Sequence, residues 1–465
     1  MITFGTLVPH PPIIVPGVGS PEDLVQVSET IAALGEINRI LAEDPPETLV
    51  VFTPHGTVFS DAIVVYGDHE LTGDLSRFGP EKSWKWENDL ELAGEIIKLG
   101  QEAGLPVLKL DRTLAAKYRP QGALDHGVLV PLSFFDPKWA AKVKLVIIPL
   151  SYLPLEDLYR FGTTIQTATA NLNRKAAVIA SGDLSHCLSP GAPAGYDPRG
   201  AEFDQQLIKL IKEGAVTEFF NLNPVLVEKA AECGFRSLIM LLGALDQQEF
   251  ETKVHSYQGP FGVGYGVASF RPTGAKRGSF LDELYANRNK TINERRQKES
   301  PLVRYARQVV EAYVKGVELP EPADLEGFRN EKAGTFVSIK KHGQLRGCIG
   351  TTEPTQSSII AEVRQNAISA STRDPRFNPV EEDELADLVY SVDVLKPAEP
   401  ISGLEELDPK RYGVIVSKGY RRGLLLPNLE GIETAAEQVS IAKRKAGIPE
   451  NEPVKLERFE VVRYY

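Results

Sequence analysis

Five of the seven histidines precede residue 190. Most of them sit beside Gly, Pro or Asp, and four read as following apolar strands: His10 in LVPHPP, His55 in FTPHG, His126 in LDHG and His186 in SGDLSH. Strand ends of an α/β sheet are where ligands bind, and imidazole there can hold a metal or move a proton near neutral pH. His10 and His55 share one local grammar, an apolar run, then Pro-His, then Pro or Gly. Two neutral imidazoles at neighbouring strand ends, joined by one carboxylate, would make the facial triad that binds Fe(II) and leaves positions for substrate and O₂. The plainer reading keeps these histidines as turn and packing residues. Asp183 would either orient His186 or cap a turn. Cys187 reads as packing, Tyr196, Asp197 and Arg199 as a lid or an ordinary turn, and His69 and His255 as surface or strand-edge residues.

The elements that must position these side chains alternate over residues 1 to 275, as a layered α/β domain requires. Strands are expected at 4–8, 48–53, 143–150 and 176–181. Helices are expected at 21–41, where Leu24, Val27, Ile31, Leu34 and Ile37 recur at helical spacing, and at 87–99 and 201–213. Residues 276–300 hold seven Lys or Arg against four Asp or Glu and read as a solvated helical connector. Ser300-Pro301 opens a further helix with Leu302, Tyr305, Val309 and Tyr313 on one face. In residues 301–465, GTFVSIK and LRGCIG flank the turn Lys341-His342-Gly343 as a hairpin. Further strands are expected at 388–395, 413–417 and 422–426, with a terminal strand near 458–463.

Composition sets the outer limits. At 465 residues the chain has room for two or three domains, and 42% hydrophobic against 25% charged residues excludes disordered, fibrous and disulfide-scaffold classes. The net charge of −11 argues against wrapping a polyanion, and no basic stripe is interleaved with aromatics, so nucleic acid is not an expected partner. Three scattered cysteines, at 187, 233 and 348, suit a reducing compartment. The opening MITFGTLVPHPP lacks a signal-peptide pattern, and no run nears the roughly 20 apolar residues that span a bilayer, so the expectation is a cytoplasmic protein without membrane contact.

The segments PHPPIIVPGVG, FTPHG, LDHG, SGDLSHCLSPGAPAGYDPRGAEFD and EKAAECGFRS resemble, in order, the LigB-type class III extradiol dioxygenase superfamily. They are similar above all to its MEMO branch, protein B of the AmmeMemoRadiSam system. The resemblance implies a non-haem Fe(II) held by two histidines and a glutamate, acting with O₂ on a phenolic or catechol-like small molecule, with no organic cofactor. Carried over by motif, His10 and His55 become the metal ligands, His186 the acid/base and His126 an accessory histidine. Glu232 becomes the candidate carboxylate, while Cys233 matches the cysteine of the MEMO pocket. A carboxylate suits Fe(II); a thiolate shifts preference toward Zn or Cu.

LRGCIG (345–350), NAISASTRDPRF (366–377) and RRGLLLP (421–427) resemble the AMMECR family, protein A of the same system, which implies an α+β domain with a mainly antiparallel sheet. Arg346 beside Cys348 would favour a thiolate if both face one side, with burial of Cys348 as a small hydrophobe the alternative. Arg373, Asp374 and Arg376 would frame an anion pocket with Arg346 or form an ordinary ion-pair network. The expected architecture is therefore a LigB/MEMO-like α/β domain (1–275), a charged connector (276–300) and an AMMECR-like α+β domain (301–465). The system resemblance implies a radical-SAM protein as partner; self-association stays open. Three functions compete: a metal-dependent dioxygenase, a MEMO-like metal-binding adaptor for a peptide or protein, and a non-oxygenase enzyme using His186 and Cys233.

Overall fold

Four aliphatic runs lie side by side and parallel because both of their faces are apolar, the pattern of strands covered by helices on each side. They are β1 (Ile2–Val8), β2 (Thr48–Thr53), β3 (Lys144–Pro149) and β4 (Ala176–Ser181). An antiparallel hairpin, β5 (Gln248–Gln258) and β6 (Tyr265–Lys276), completes a six-stranded sheet of order β3-β2-β4-β1-β6-β5. Successive residues of one strand feed opposite cores: Val50, Phe52, Val178 and Ala180 pack on one face, and Leu49, Val51, Ala177 and Ile179 on the other. The computed structural model describes residues 1–79, 83–111, 114, 124–341, 344–429 and 431–465.

The register brings the strand ends together. Val8 lies opposite Ser181, Phe52 opposite Ala180 and Thr53 opposite Pro149, so all four parallel strands end at one edge. β4 runs between the strands that lead to His10 and His55.

The chain divides into two units, Met1–Tyr285 and Ala286–Tyr465. In the second unit, strands 344–350, 335–341, 388–395 and 461–464 form an antiparallel sheet in that order. Helices Pro301–Val314 and Ile359–Thr372 share a core with it. A second antiparallel sheet joins strands 399–401, 455–459, 413–418 and 421–425, with helix Ala435–Lys445 contributing to its core. Glu362, wholly buried, pins the start of helix Ile359–Thr372 to the preceding loop: its carboxylate accepts from the Thr351 and Thr355 hydroxyls and the Thr355 and Gln356 backbone N–H groups.

Several sequence expectations are corrected. His126 does not follow a strand; it is the first residue of helix His126–Ser133. The helix expected over 21–41 breaks at Val27 into Pro21–Gln26 and Ser28–Glu43. The terminal strand near 458–463 is two strands, Lys455–Phe459 and Val461–Tyr464, which pair in different sheets. Tyr313 is exposed, while Val310 takes its expected place inside. The charged segment does hold a helix, Phe280–Gln297, but its Phe280, Leu284 and Ile292 are buried rather than solvated. His342 and Gly343 of the expected turn lie outside the described residues. Among the described residues no helix is long and apolar enough to cross a membrane.

Candidate metal centre

Two residues past the end of β1, His10 is almost fully buried, and its Nε2 lies 2.8 Å from Nε2 of His55, two residues past the end of β2. His126 stacks on His55 with ring centroids 4.1 Å apart and makes an edge contact with Phe78, centroids 5.5 Å apart. Ligand atoms of His10, His55 and His126 all fall within 4.8 Å of one another; so do those of His10, Asp183 and Cys233. His10 thus belongs to both groups. Cys233 Sγ is 3.7 Å from its Nε2, and one oxygen of Asp183 is 4.0 Å from Nε2 of both His10 and His186.

Two backbone segments meet to create this arrangement. The Asp183 N–H donates to Cys233 Sγ at 3.2 Å, and the Cys233 N–H donates to the Asp183 carbonyl at 3.2 Å. Gly182 and Gly234 permit it, since a β carbon on Gly182 would lie 2.0 Å from the Gly234 Cα. The His10 backbone N–H in turn donates to the Asp183 carboxylate at 2.9 Å. His186 donates Nδ1–H to the Ala231 carbonyl at 2.6 Å; a carbonyl can only accept, so Nε2 carries the lone pair.

The electrostatics favour neutral groups. Burial, then His55, His126 and His186, hold the His10 ring well below its usual value. His55, whose outer edge is exposed, is lowered to about 4 by desolvation of the rest of the ring and by His126. Burial raises Asp183 to about 7 and pushes the Cys233 thiol far up, with Asp183 and Glu232 adding to the latter. Bare imidazoles beside groups that shed protons only for a strong cation form a donor set suited to a transition metal.

Of the two adjacent candidates, Cys233 faces the histidines and Glu232 does not. The Glu232 carboxylate accepts from the Phe235 N–H at 2.6 Å, where helix Phe235–Ala244 begins, and it is in neither donor group. Asp197 caps helix Pro198–Glu213 and pairs with Arg199, so these two serve the turn. Supporting residues that sequence reasoning missed include Ser181, Thr53 and Asp125. Thr53 donates its hydroxyl to Asp125 at 2.7 Å and accepts the His55 N–H at 3.3 Å. The signal for Ser181 and Thr53 was a hydroxyl closing an otherwise apolar strand.

Asp204 anchors the loop that carries Asp183 and His186. Fully buried, it accepts from the Ser185 N–H at 2.8 Å and the Tyr257 hydroxyl at 2.7 Å. Burial raises its pKa from 3.8 to about 6, against the pull of those two donors. The folded chain therefore binds this proton more tightly than the unfolded chain does. Its stabilisation is full below about pH 4 and is lost as pH rises through about 6, an effect of roughly 3 kcal/mol. Denaturant midpoints of wild type and Asp204→Asn, taken near pH 4 and near pH 7, should shift in favour of the variant at the higher pH by that order. Parallel curves would contradict the assignment.

In the second unit Arg346 and Arg376 form ion pairs, the plainer of the two sequence readings. A bulge in strand 344–350 falls at Arg346, whose guanidinium grips Glu384 at 2.7 and 3.0 Å. Arg373 ends helix Ile359–Thr372 and is exposed. Arg376 is the guanidinium near Cys348: it donates to the Cys348 carbonyl and pairs with the buried Asp374, which accepts the Cys348 N–H. Burial raises the Cys348 thiol, and Ser338 and Arg376 only partly offset this.

Residues 5–268 match the family described as the catalytic LigB subunit of aromatic ring-opening dioxygenase, and residues 303–464 match AMMECR1. A Clostridium acetobutylicum protein is 41% identical over 462 residues, 98% of both chains. A Thermotoga maritima protein is 52% identical over 170 residues, 36% of this chain and 98% of its own. Among solved structures, an uncharacterized Pyrococcus horikoshii protein matches 35% of this chain and 88% of its own, with 35% identity and a TM-score of 0.33.

Proposed function

We propose, on the premise that this chain belongs to the LigB family through its first unit and carries an AMMECR1 segment after it, that the first unit is a metal-dependent oxidoreductase of extradiol type. Its substrate would be a phenolic or catechol-like small molecule, its metal non-haem Fe(II) and its oxidant O₂. The observation that carries this reading is the placement of His186, whose bare Nε2 stands beside the His10–His55 pair with Asp183 between. His10 and His55 would hold the ion, completed by Asp183 or Cys233. When bound, it would supply Lewis-acid activation of a vicinal diol and electrons for O₂. His186 would take the phenolic proton, and His126, half-buried beside Phe78, would donate to negative charge developing on oxygen. A radical-SAM protein of the same system remains the proposed partner, on resemblance alone.

The test is O₂ uptake and ring-opened product from anaerobically purified, Fe(II)-loaded protein across a catechol panel. His186→Ala should keep its metal and lose about 10²–10⁴-fold in turnover. Metal-replete protein that consumes no O₂ with any catechol would defeat this reading. A second reading has its own support: with Cys233 rather than Glu232 facing His10, a thiolate-containing donor set favours Zn or Cu(I) and a metal-binding adaptor. Zn or Cu retained in preference to Fe(II), with no oxygen chemistry, would favour it.

A further inference from the structure

A serine hydroxyl at the end of β4 decides which nitrogen of His10 is free. Ser181 is fully buried, and its Oγ has two close partners, the Gly127 carbonyl and His10 Nδ1, the latter at 2.9 Å. A hydroxyl has one proton, and a carbonyl oxygen can only accept. The proton therefore goes to Gly127, and the Ser181 oxygen is left to accept. His10 must supply the other hydrogen, from Nδ1. Its Nε2 is then bare, and this is the atom that faces His55 Nε2, Cys233 Sγ and Asp183. Gly127 follows His126 at the start of helix His126–Ser133, so the same hydroxyl ties His10 to the segment that bears the stacked histidine.

We propose that Ser181 is a positioning residue of the metal centre, locking His10 in its Nδ1–H tautomer and fixing the ring against the His126 segment. The proposal rests on the metal-binding reading above and adds the residue that makes His10 a ligand rather than a donor. An orienting partner of this kind is worth about 10–100-fold in metal affinity.

The experiment titrates Co(II) and Zn(II) into full-length wild type, Ser181→Ala, Ser181→Thr and Ser237→Ala. Ser237 is the control because its buried hydroxyl donates to the Ser181 backbone carbonyl and has no bond to His10. Ser181→Ala should bind both metals about 10–100-fold more weakly, Ser181→Thr should recover most of the loss, and Ser237→Ala should match wild type. Long-range ¹H–¹⁵N spectra of histidine-labelled, metal-free wild type give a measurement that needs no variant: His10 should show Nδ1 protonated and Nε2 bare. The opposite tautomer, or a folded Ser181→Ala with undiminished affinity, would overturn the proposal. Wild type that binds neither metal while showing the Nδ1–H tautomer would sink the metal-centre reading and, with it, the role of Ser181 in metal affinity, leaving its tautomer assignment intact.

Discussion

His10→Ala is expected to abolish stoichiometric metal binding, lowering affinity for Fe(II), Zn(II) or Co(II) by at least about 100-fold. The bound comes from comparison: loss of a partner that merely orients a ligand is worth about 10–100-fold, and loss of the ligand itself exceeds that. His10 is the member common to both donor groups, so no rearrangement among His55, His126, Asp183 and Cys233 replaces it. Its ring is also the most deeply buried of the set and already held neutral, which removes competition from protons. Metal content per chain after dialysis, and titration of the apo form, give the measurement. His69→Ala changes an exposed histidine that is in neither donor group and should leave both unaltered. Glu232→Gln and Cys233→Ala separate the adjacent candidates: the first should change affinity only slightly, the second by about 10-fold or more. A His10→Ala protein that still holds one ion would remove the basis of the metal centre.

The histidines were legible because each sits where an apolar run meets Gly, Pro or Asp, and family resemblance then assigned them roles. That His10 and His55 share a site came from the resemblance; the strand order that carries them there, with β4 between β1 and β2 rather than the two strands side by side, is a choice that no local pattern encodes. The choice between Glu232 and Cys233 was equally hidden. Neighbouring residues in a turn point in different directions, and here the direction is set by contact with a segment some 50 positions away in the chain. Arg346 shows the same limit in the second unit. A strand without the bulge would have placed it near Cys348 by simple alternation, and the extra residue turns it to Glu384 instead.

Gly182→Ala tests that long-range contact directly and is expected to damage both stability and site. The added methyl would lie 2.0 Å from the Gly234 Cα, 2.8 Å from its N and 3.1 Å from the Cys233 carbonyl oxygen. All three are backbone atoms, so no side-chain rotation relieves the overlap; the segments must part. Gly182 cannot retreat freely, because its N–H donates to the Val8 carbonyl at 2.9 Å as the sheet ends. Cys233 and Gly234 would move instead, breaking the paired bonds between Asp183 and Cys233 and drawing the thiol from His10. Overpacking of this kind costs about 2–4 kcal/mol, and the displaced thiol should lower metal affinity about 10-fold or more. Gly35→Ala, inside helix Ser28–Glu43 with open space around the new methyl, is the matched control and should be neutral or stabilise by up to about 1 kcal/mol. Denaturant unfolding and metal titration of both variants give the comparison. If Gly182→Ala matched Gly35→Ala in both, the two backbones would not be in contact as described, and Cys233 would lose its place beside His10.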